Sequence, residues 1–219
     1  MGNDKTDNKE GGDARSRLVS AALKLFAEKG YEGASTRLIC EAANVNISAI
    51  RYYFGDKAGL YRAAFTEPMG ETRCGGDVRA YADMPLPELL RRFFTEFLEP
   101  FKKGEELKLV MKLHFREMVE PTGAWQQEID AELKPQHDAL VSLLQKHLQL
   151  EQADTDLHRL AFAIVGMVVH FYVGQDILTA IDLPLVDTPE AIDTLADRLS
   201  GFALSMIEGE AARRRQSLE

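Results

Sequence analysis

The stretch STRLICEAANVNISAIRYYFGDK, residues 35–57, decides how this chain is read. Ser35 or Thr36 can cap a short helix, Thr36 to Ala43, because a hydroxyl at that place accepts from the helix's unpaired amides. The run Asn44-Val45-Asn46 then makes a tight turn, and Asn44 tolerates a left-handed backbone. Asn46 can cap a further helix, Ile47 to Phe54. Gly55 stops it, and Asp56 caps the helix that begins at Lys57. A short helix, a tight turn and a short helix form a helix-turn-helix. At 100° per residue, Ile50 and Phe54 point one way and Ser48, Arg51 and Tyr52 the other, with Ala49 and Tyr53 on the flanks.

Upstream, Ala14 to Lys29 places Leu18, Ala21, Ala22, Leu25 and Phe26 at helical spacing, and Gly30 is a natural stop. Residues 14–62 thus read as a small helical domain, preceded by a polar, Gly-rich stretch, 1–13, expected to be a disordered arm. Residues 63–213 read as a larger helical body. Its helical stretches are Leu86 to Lys103, Glu105 to Val119, Gly123 to Leu150 with Pro135 as a break, Thr155 to Ala180, and Pro189 to Ala212. The fourth helix is expected to run from Lys57 to about Arg73. Ala, Leu, Glu and Arg dominate the 219 residues, β-branched runs are few, and the fold class is all-α.

Charge divides the chain. The net charge is -9, yet Asp13 to Arg62 holds eight Lys/Arg against five Asp/Glu. A small basic end is joined to a large acidic body, so the basic end can meet a polyanion while the body stays clear of it. The two cysteines, Cys40 and Cys74, form no C-x-x-C, which argues against a disulfide framework or a zinc site. The N-terminus has no apolar core of a secretory signal. The longest apolar run, Leu160 to Gly174, is shorter than the roughly 20 residues of a membrane span. A cytoplasmic protein without membrane insertion, metal or cofactor is expected.

In a helix-turn-helix the outward face of the second helix enters the DNA major groove. Arg51 can fork onto a guanine edge or a phosphate, and tyrosine hydroxyls can donate to phosphates. Small Ser48 and Ala49 let the backbone approach closely. Lys57, Thr36 and Arg37 open helices whose free amides attract anions. The candidate DNA contacts are Thr36, Arg37, Asn46, Ile47, Ser48, Ala49, Arg51, Tyr52, Tyr53 and Lys57. A merely solvated face explains Arg37 or Arg51 alone, but explains poorly an exposed Arg-Tyr-Tyr backed by small residues.

The stretch AALKLFAEKGYEGASTRLICEAANVNISAIRYYFGDKAGLY, residues 21–61, resembles the DNA-binding domain of TetR/AcrR-family transcriptional regulators. The resemblance rests on Phe26, Gly30, Tyr31, Ser35, Thr36, Ile39, Ala43, Val45, Tyr53, Phe54, Lys57 and Leu60. Asn44 stands where the family usually has Gly, and Arg51 where it usually has Tyr, which bears on the operator sequence rather than on DNA binding. LHFREMVEPTGAW (113–125) and LAFAIVGMVVHFY (160–172) resemble the C-terminal domain of CecR-like members. The resemblance implies an N-terminal three-helix helix-turn-helix domain and a C-terminal helical bundle for ligand binding and dimerisation. It also implies a homodimer on an operator in double-stranded DNA, a small-molecule effector, and repression.

In the body, the Glu105–Val119 helix is apolar nearly all round, so it is buried on several sides. His114 and Glu117 either form a satisfied core pair, with Arg91 or Arg92 holding Glu117, or orient a ligand among Met and Phe. A single H-x-x-E is a poor metal signal. The candidate ligand contacts are Met111, His114, Phe115, Glu117, Met118, Trp125, Phe162, Met167, His170 and Phe171; each of the last five also fits a plain core role. Two faces suit a second subunit. One is the small-residue face Ala163, Gly166, His170 and Gly174, and the other is the stripe Ile192, Leu195, Ala196, Leu199, Phe202, Ala203 and Met206. Two other classes stay open: a protein-interaction module without sequence-specific DNA binding, and an all-α enzyme. The enzyme lacks a Ser-His-Asp signature, a phosphate loop or a paired metal motif.

Overall fold

The computed structural model describes residues 6–69, 80, 83–123, 126, 130 and 133–216, and all regular structure in them is helical. The chain divides into two compact units, residues 1–71 with 105–126, and residues 72–104 with 127–219.

The first unit holds α1 (Thr6–Gly33), α2 (Thr36–Ala43), α3 (Ser48–Phe54), α4 (Lys57–Thr66) and α6 (Glu105–Val119). Its short helices are fixed by their ends. Ser35 Oγ accepts from Leu38 N, and Asp56 Oδ1 accepts from Gly59 N at 2.7 Å. Asn46 Oδ1 takes both the backbone amide and the hydroxyl of Ser48. Asn44 lies in the left-handed region, at φ 52°, and closes α2 through its amide. Leu18, Phe26, Ile39, Ile50, Leu60 and Phe65 build the core, and Val110 and Leu113 of α6 complete it.

Two joints bind α6 to the helices before it. Gly30 kinks α1 at φ 74°, a conformation L side chains avoid, and a β-carbon there would lie 2.8 Å from the Arg116 guanidinium. At the other joint, the buried Glu117 carboxylate, 1% exposed, accepts from the Tyr61 hydroxyl at 2.7 Å. It also accepts from the Thr122 amide at 2.7 Å and the Thr122 hydroxyl at 2.9 Å. A buried carboxylate is tolerated only when its lone pairs are met in this way. One turn away, the His114 ring stacks on Phe65 with centroids 3.8 Å apart. Its Nδ1–H donates to the Val110 carbonyl. Burial pushes the His114 pKa down to about 4, so the ring is neutral at pH 7.

In the second unit, α5 (Leu86–Leu98) packs along α10 (Pro189–Gln216), and α7 (Lys134–His147) packs on α8 (Thr155–Val173). A short α9 (Gln175–Ala180) follows α8. Asp154 caps α8, and Arg214 near the end of α10 forks onto the same carboxylate at 2.7 and 2.9 Å. The Tyr172 hydroxyl donates to the Phe97 carbonyl at 2.6 Å. By length and composition α8 could cross a membrane. One side of it, including Leu157, Leu160, Ala161, Ile164 and Val168, is buried within the unit, as in a helical bundle.

The structure corrects several expectations. Helix α1 begins at Thr6, so residues 6–13 are helical rather than a disordered arm, and residues 1–5 fall outside the described residues. Helix α4 ends at Thr66 and tightens into a 3-10 turn, Glu67–Met69; the expected continuation to Arg73 lies outside the described residues. Pro100 ends α5 early by opening another 3-10 turn. Near Pro135 the helical stretch changes character as expected: residues 130 and 133 are π-helical, and α7 begins at Lys134 with the proline in its first turn, where no proline amide is needed. Gly174 separates α8 from α9. The division at residue 62 also fails for 105–126, which belong with the first unit because Glu117 bonds Tyr61 of α4 and because Val110 and Leu113 pack into the core with α1.

Both the Glu117 joint and the His114 burial can be tested by stability. Tyr61→Phe withdraws a donor from a buried carboxylate and is expected to cost about 1–3 kcal/mol, read from the urea midpoint; an unchanged midpoint contradicts the joint. For His114, the unfolded imidazole takes a proton near its ordinary pKa of 6.5 and the folded one only near 4. The unfolded state therefore binds more protons in that window. Stability is full above pH 6.5 and falls as pH drops toward 4, and His114→Gln should flatten that slope in denaturation curves.

Candidate nucleic-acid interface

The outward face of α3 is built by what the inward face buries. Ile50 goes into the core, and a 3.6-residue period leaves Ser48, Arg51 and Tyr52 outside. Tyr52 is 81% exposed, with its ring edge-on to Tyr53 at 4.8 Å. Exposing a tyrosine to this degree is costly in apolar surface unless something covers it. The Arg51 guanidinium has no ion-pair partner among the described residues. Ile47 is exposed at the entry to the helix, and Ala49 and Tyr53 are half-buried on its flanks.

Neighbouring elements extend this face. Arg37 stands exposed on α2, its Nε 2.9 Å from Glu41 Oε1, and Thr36 is half-buried at the helix start. Lys57 opens α4 with its ammonium 4.5 Å from the centre of the Tyr31 ring, a cation–π contact that restrains the charge beside the free amides of the first turn. Arg15 of α1 forks onto Glu67 at 2.6 and 2.8 Å and lies over the Phe54 ring, joining the end of α3 to the end of α4. The expected DNA contacts therefore share one unit. Asn46 differs from the rest, because its side chain is spent on Ser48 and acts as a cap. Glu41, paired with Arg37, was not among the expected contacts. The Arg-x-x-x-Glu spacing, one helical turn, was the available signal for Glu41.

The expected ligand contacts are not assembled in one unit. Met111, His114, Phe115, Glu117 and Met118 belong to the first unit, and Phe162, Met167, His170 and Phe171 to the second. Met111 and Phe115 are buried, Glu117 is occupied by Tyr61 and Thr122 rather than by Arg91 or Arg92, and Met118 is exposed. Arg91 instead pairs with Asp197, and Arg92 with Glu96. Phe162 is 72% exposed and His170 is exposed, while Trp125 lies outside the described residues. Among the described residues no three His, Cys, Asp or Glu side chains could hold a metal ion.

Of the residues expected to face a second subunit, Ile192, Leu195 and Leu199 are buried, as α10 packs on α5, and Gly174 is buried against the His170 carbonyl. Met206 is half-buried. The expected Ala163, Gly166 and His170 are exposed on one side of α8, beside Phe162 and Val173, and the expected Phe202 is exposed on α10.

Comparison with known proteins agrees with this geometry. Residues 18–64 match the family described as bacterial regulatory proteins, tetR family. Residues 86–209, more than half the chain, match the C-terminal domain of the HTH-type transcriptional dual regulator CecR. The chain belongs to the TetR family, in its CecR branch. A TetR-family relative, the HTH-type transcriptional dual regulator CecR of Shigella flexneri, is 28% identical over 183 residues, 76% of this chain and 79% of that protein. The fold is similar to that of FadR from Bacillus subtilis in complex with stearoyl-CoA, with a TM-score of 0.61 and 18% identity over 87% of this chain and 98% of that one. It is also similar to AibR in complex with isovaleryl coenzyme A and operator DNA, with a TM-score of 0.60 and 23% identity over 86% of this chain and 97% of that one. The relatives are transcriptional regulators, and the chain is a helix-turn-helix transcriptional regulator of this TetR family.

Arg51→Ala is expected to cost about 1–3 kcal/mol on the preferred site and to relax base choice there, whereas Lys57→Ala should weaken all sequences alike. A panel of single-base operator variants checks both. Altered preference in Lys57→Ala with none in Arg51→Ala would reverse the assignment.

Proposed function

We propose that this regulator is a cytoplasmic repressor that binds a near-palindromic operator as a homodimer and is released by a small apolar or amphipathic molecule. The observation that carries the reading is the outward face of α3, where Arg51 and Tyr52 stand exposed on a helix anchored by Ile50. Thr36, Arg37, Ile47, Ser48, Ala49, Tyr53 and Lys57 surround that pair in the same unit. Two such faces, one from each protomer, would enter major grooves about 34–36 Å apart.

The exposed side of α8 supports the dimer. Phe162, Ala163, Gly166, His170 and Val173 fall within about a third of the helix circumference, as the 3.6-residue period dictates. A largely apolar face with Gly166 near its centre, shared with His170, suits close packing of a second helix. Phe202 of α10, with Arg198 over its ring, is a further exposed apolar group for the same purpose.

Effector binding is assigned to the CecR-type domain, residues 86–209. Two proteins of similar fold hold acyl-coenzyme A molecules, stearoyl-CoA and isovaleryl coenzyme A, so acyl-CoAs of graded chain length are the first probes to test. An effector that releases DNA must bind the free protein more tightly than the bound one. Selection of duplexes from a random library, then titration of the selected complex with these acyl-CoAs, tests the reading. Recovery of no preferred sequence would leave a protein-interaction module.

Operator affinity should fall steeply with salt, because several phosphates are neutralised and their counterions released. Gly166→Arg tests the dimer. A β-carbon at Gly166 meets nothing within 4 Å, so the variant should fold but fail to dimerise and lose the operator. Sedimentation reads this directly, and a Gly166→Arg variant that remains a dimer would move the interface elsewhere. Leu199→Asp, by contrast, should unfold the protomer, since Leu199 is in the core.

A further inference from the structure

Glu41 is the only acidic residue between Thr36 and Gly55, the whole helix-turn-helix. It stands on the exposed side of α2, one turn after Arg37, and its Oε1 lies 2.9 Å from Arg37 Nε. The side chains are 58% and 84% exposed, so burial does not explain the pair. Both line an open groove of about 460 Å³, together with Asn44, Asn46 and Ile47, where α2, the turn and the start of α3 meet. A carboxylate in this groove would stand beside any phosphate that Arg37 attracts.

We propose that Glu41 is a positioning residue for DNA recognition, one that holds Arg37 by Nε and so aims its Nη1–Nη2 edge at a base. This rests on the operator-binding reading above. A guanidinium carries its donors in a rigid fork, and engaging Nε fixes the plane of the whole group. Among the described residues the Nη1 and Nη2 donors have no partner, so the edge that matches the two acceptors of guanine stays available. The same carboxylate repels the phosphate backbone and occupies part of the Arg37 charge. It therefore weakens binding to DNA of any sequence while sharpening the choice of one. An exposed i,i+4 pair contributes little to helix stability, so this arrangement has its main effect in the complex.

The test compares wild type, Glu41→Gln, Arg37→Gln and the double variant on a duplex selected by the wild type and on a scrambled duplex, by fluorescence anisotropy across a salt series. Glu41→Gln should melt like wild type. It should bind the scrambled duplex about threefold more tightly at low salt, because a repulsive charge is gone. Its ratio of selected to scrambled affinity should fall about fivefold or more, and its salt dependence should steepen by up to about one unit as Arg37 turns to phosphate. In the Arg37→Gln background the same change should leave the ratio nearly unaltered, since the residue acts through Arg37. An unchanged ratio in Glu41→Gln overturns the assignment. So does an equal drop in both backgrounds, which would make Glu41 itself a reader of cytosine. A wild-type chain that selects no duplex overturns the regulator reading instead, and this assignment with it.

Discussion

The hydrogen bonds on Glu117 set the architecture of the first unit. A carboxylate 1% exposed would be very costly without donors, and the donors come from Tyr61 on α4 and from Thr122 beyond α6. Satisfying one buried carboxylate thus ties α4 to the end of α6, 56 residues later in the chain, and fixes the turn that follows α6. The aromatic side chains around it follow the same constraint. Tyr61 packs edge-on to Phe26 and to Tyr31, and Tyr31 carries the Lys57 ammonium on its face. Desolvation, and then the Glu117 bond, push the Tyr61 hydroxyl far above its ordinary pKa, so it serves only as a neutral donor.

From that joint the path to the DNA-facing surface is short. Tyr61 lies one turn after Lys57, the first residue of α4, and Asp56 caps that helix immediately after Gly55 closes α3. Arg15 adds a second brace, gripping Glu67 at one end of α4 while covering Phe54 at the end of α3. Placement of Arg51 and Tyr52 is therefore a property of the whole unit, α6 included. A side chain that must meet a base edge needs such support, because a small error in position loses most of the contact.

Local signals were legible in the sequence, and distant ones were not. The ends of α2, α3 and α4 follow from Ser35, Asn44, Gly55 and Asp56, each of which acts on amides or carbonyls within four residues. The outward placement of Arg51 and Tyr52 follows from helical period alone. The partner of Glu117 did not, because Tyr61 is 56 residues away and nothing in H-x-x-E names a tyrosine. For the same reason α6 read as part of the body. The stripe Ile192, Leu195 and Leu199 shows a second limit. Periodicity reveals an apolar face but not whether α5 or another chain covers it, and here α5 does. For α8, apolar residues all round exceed what one neighbouring side can bury, and Phe162 and Val173 are left exposed.

The kink at Gly30 has a consequence for how such regulators can be recombined. Its positive φ suits glycine, and its lack of a side chain leaves room for the Arg116 guanidinium, which arrives from 86 positions later in the chain. A hybrid that joined these first sixty-odd residues to the remainder of a distant relative would keep the glycine and lose the guanidinium laid against it. It would also set Tyr61 opposite whatever that relative carries in place of Glu117. The segment 105–122 falls within the stretch that matches the CecR C-terminal domain yet packs in the same unit as the helix-turn-helix, so a graft that respects the fold must carry two separate pieces of sequence.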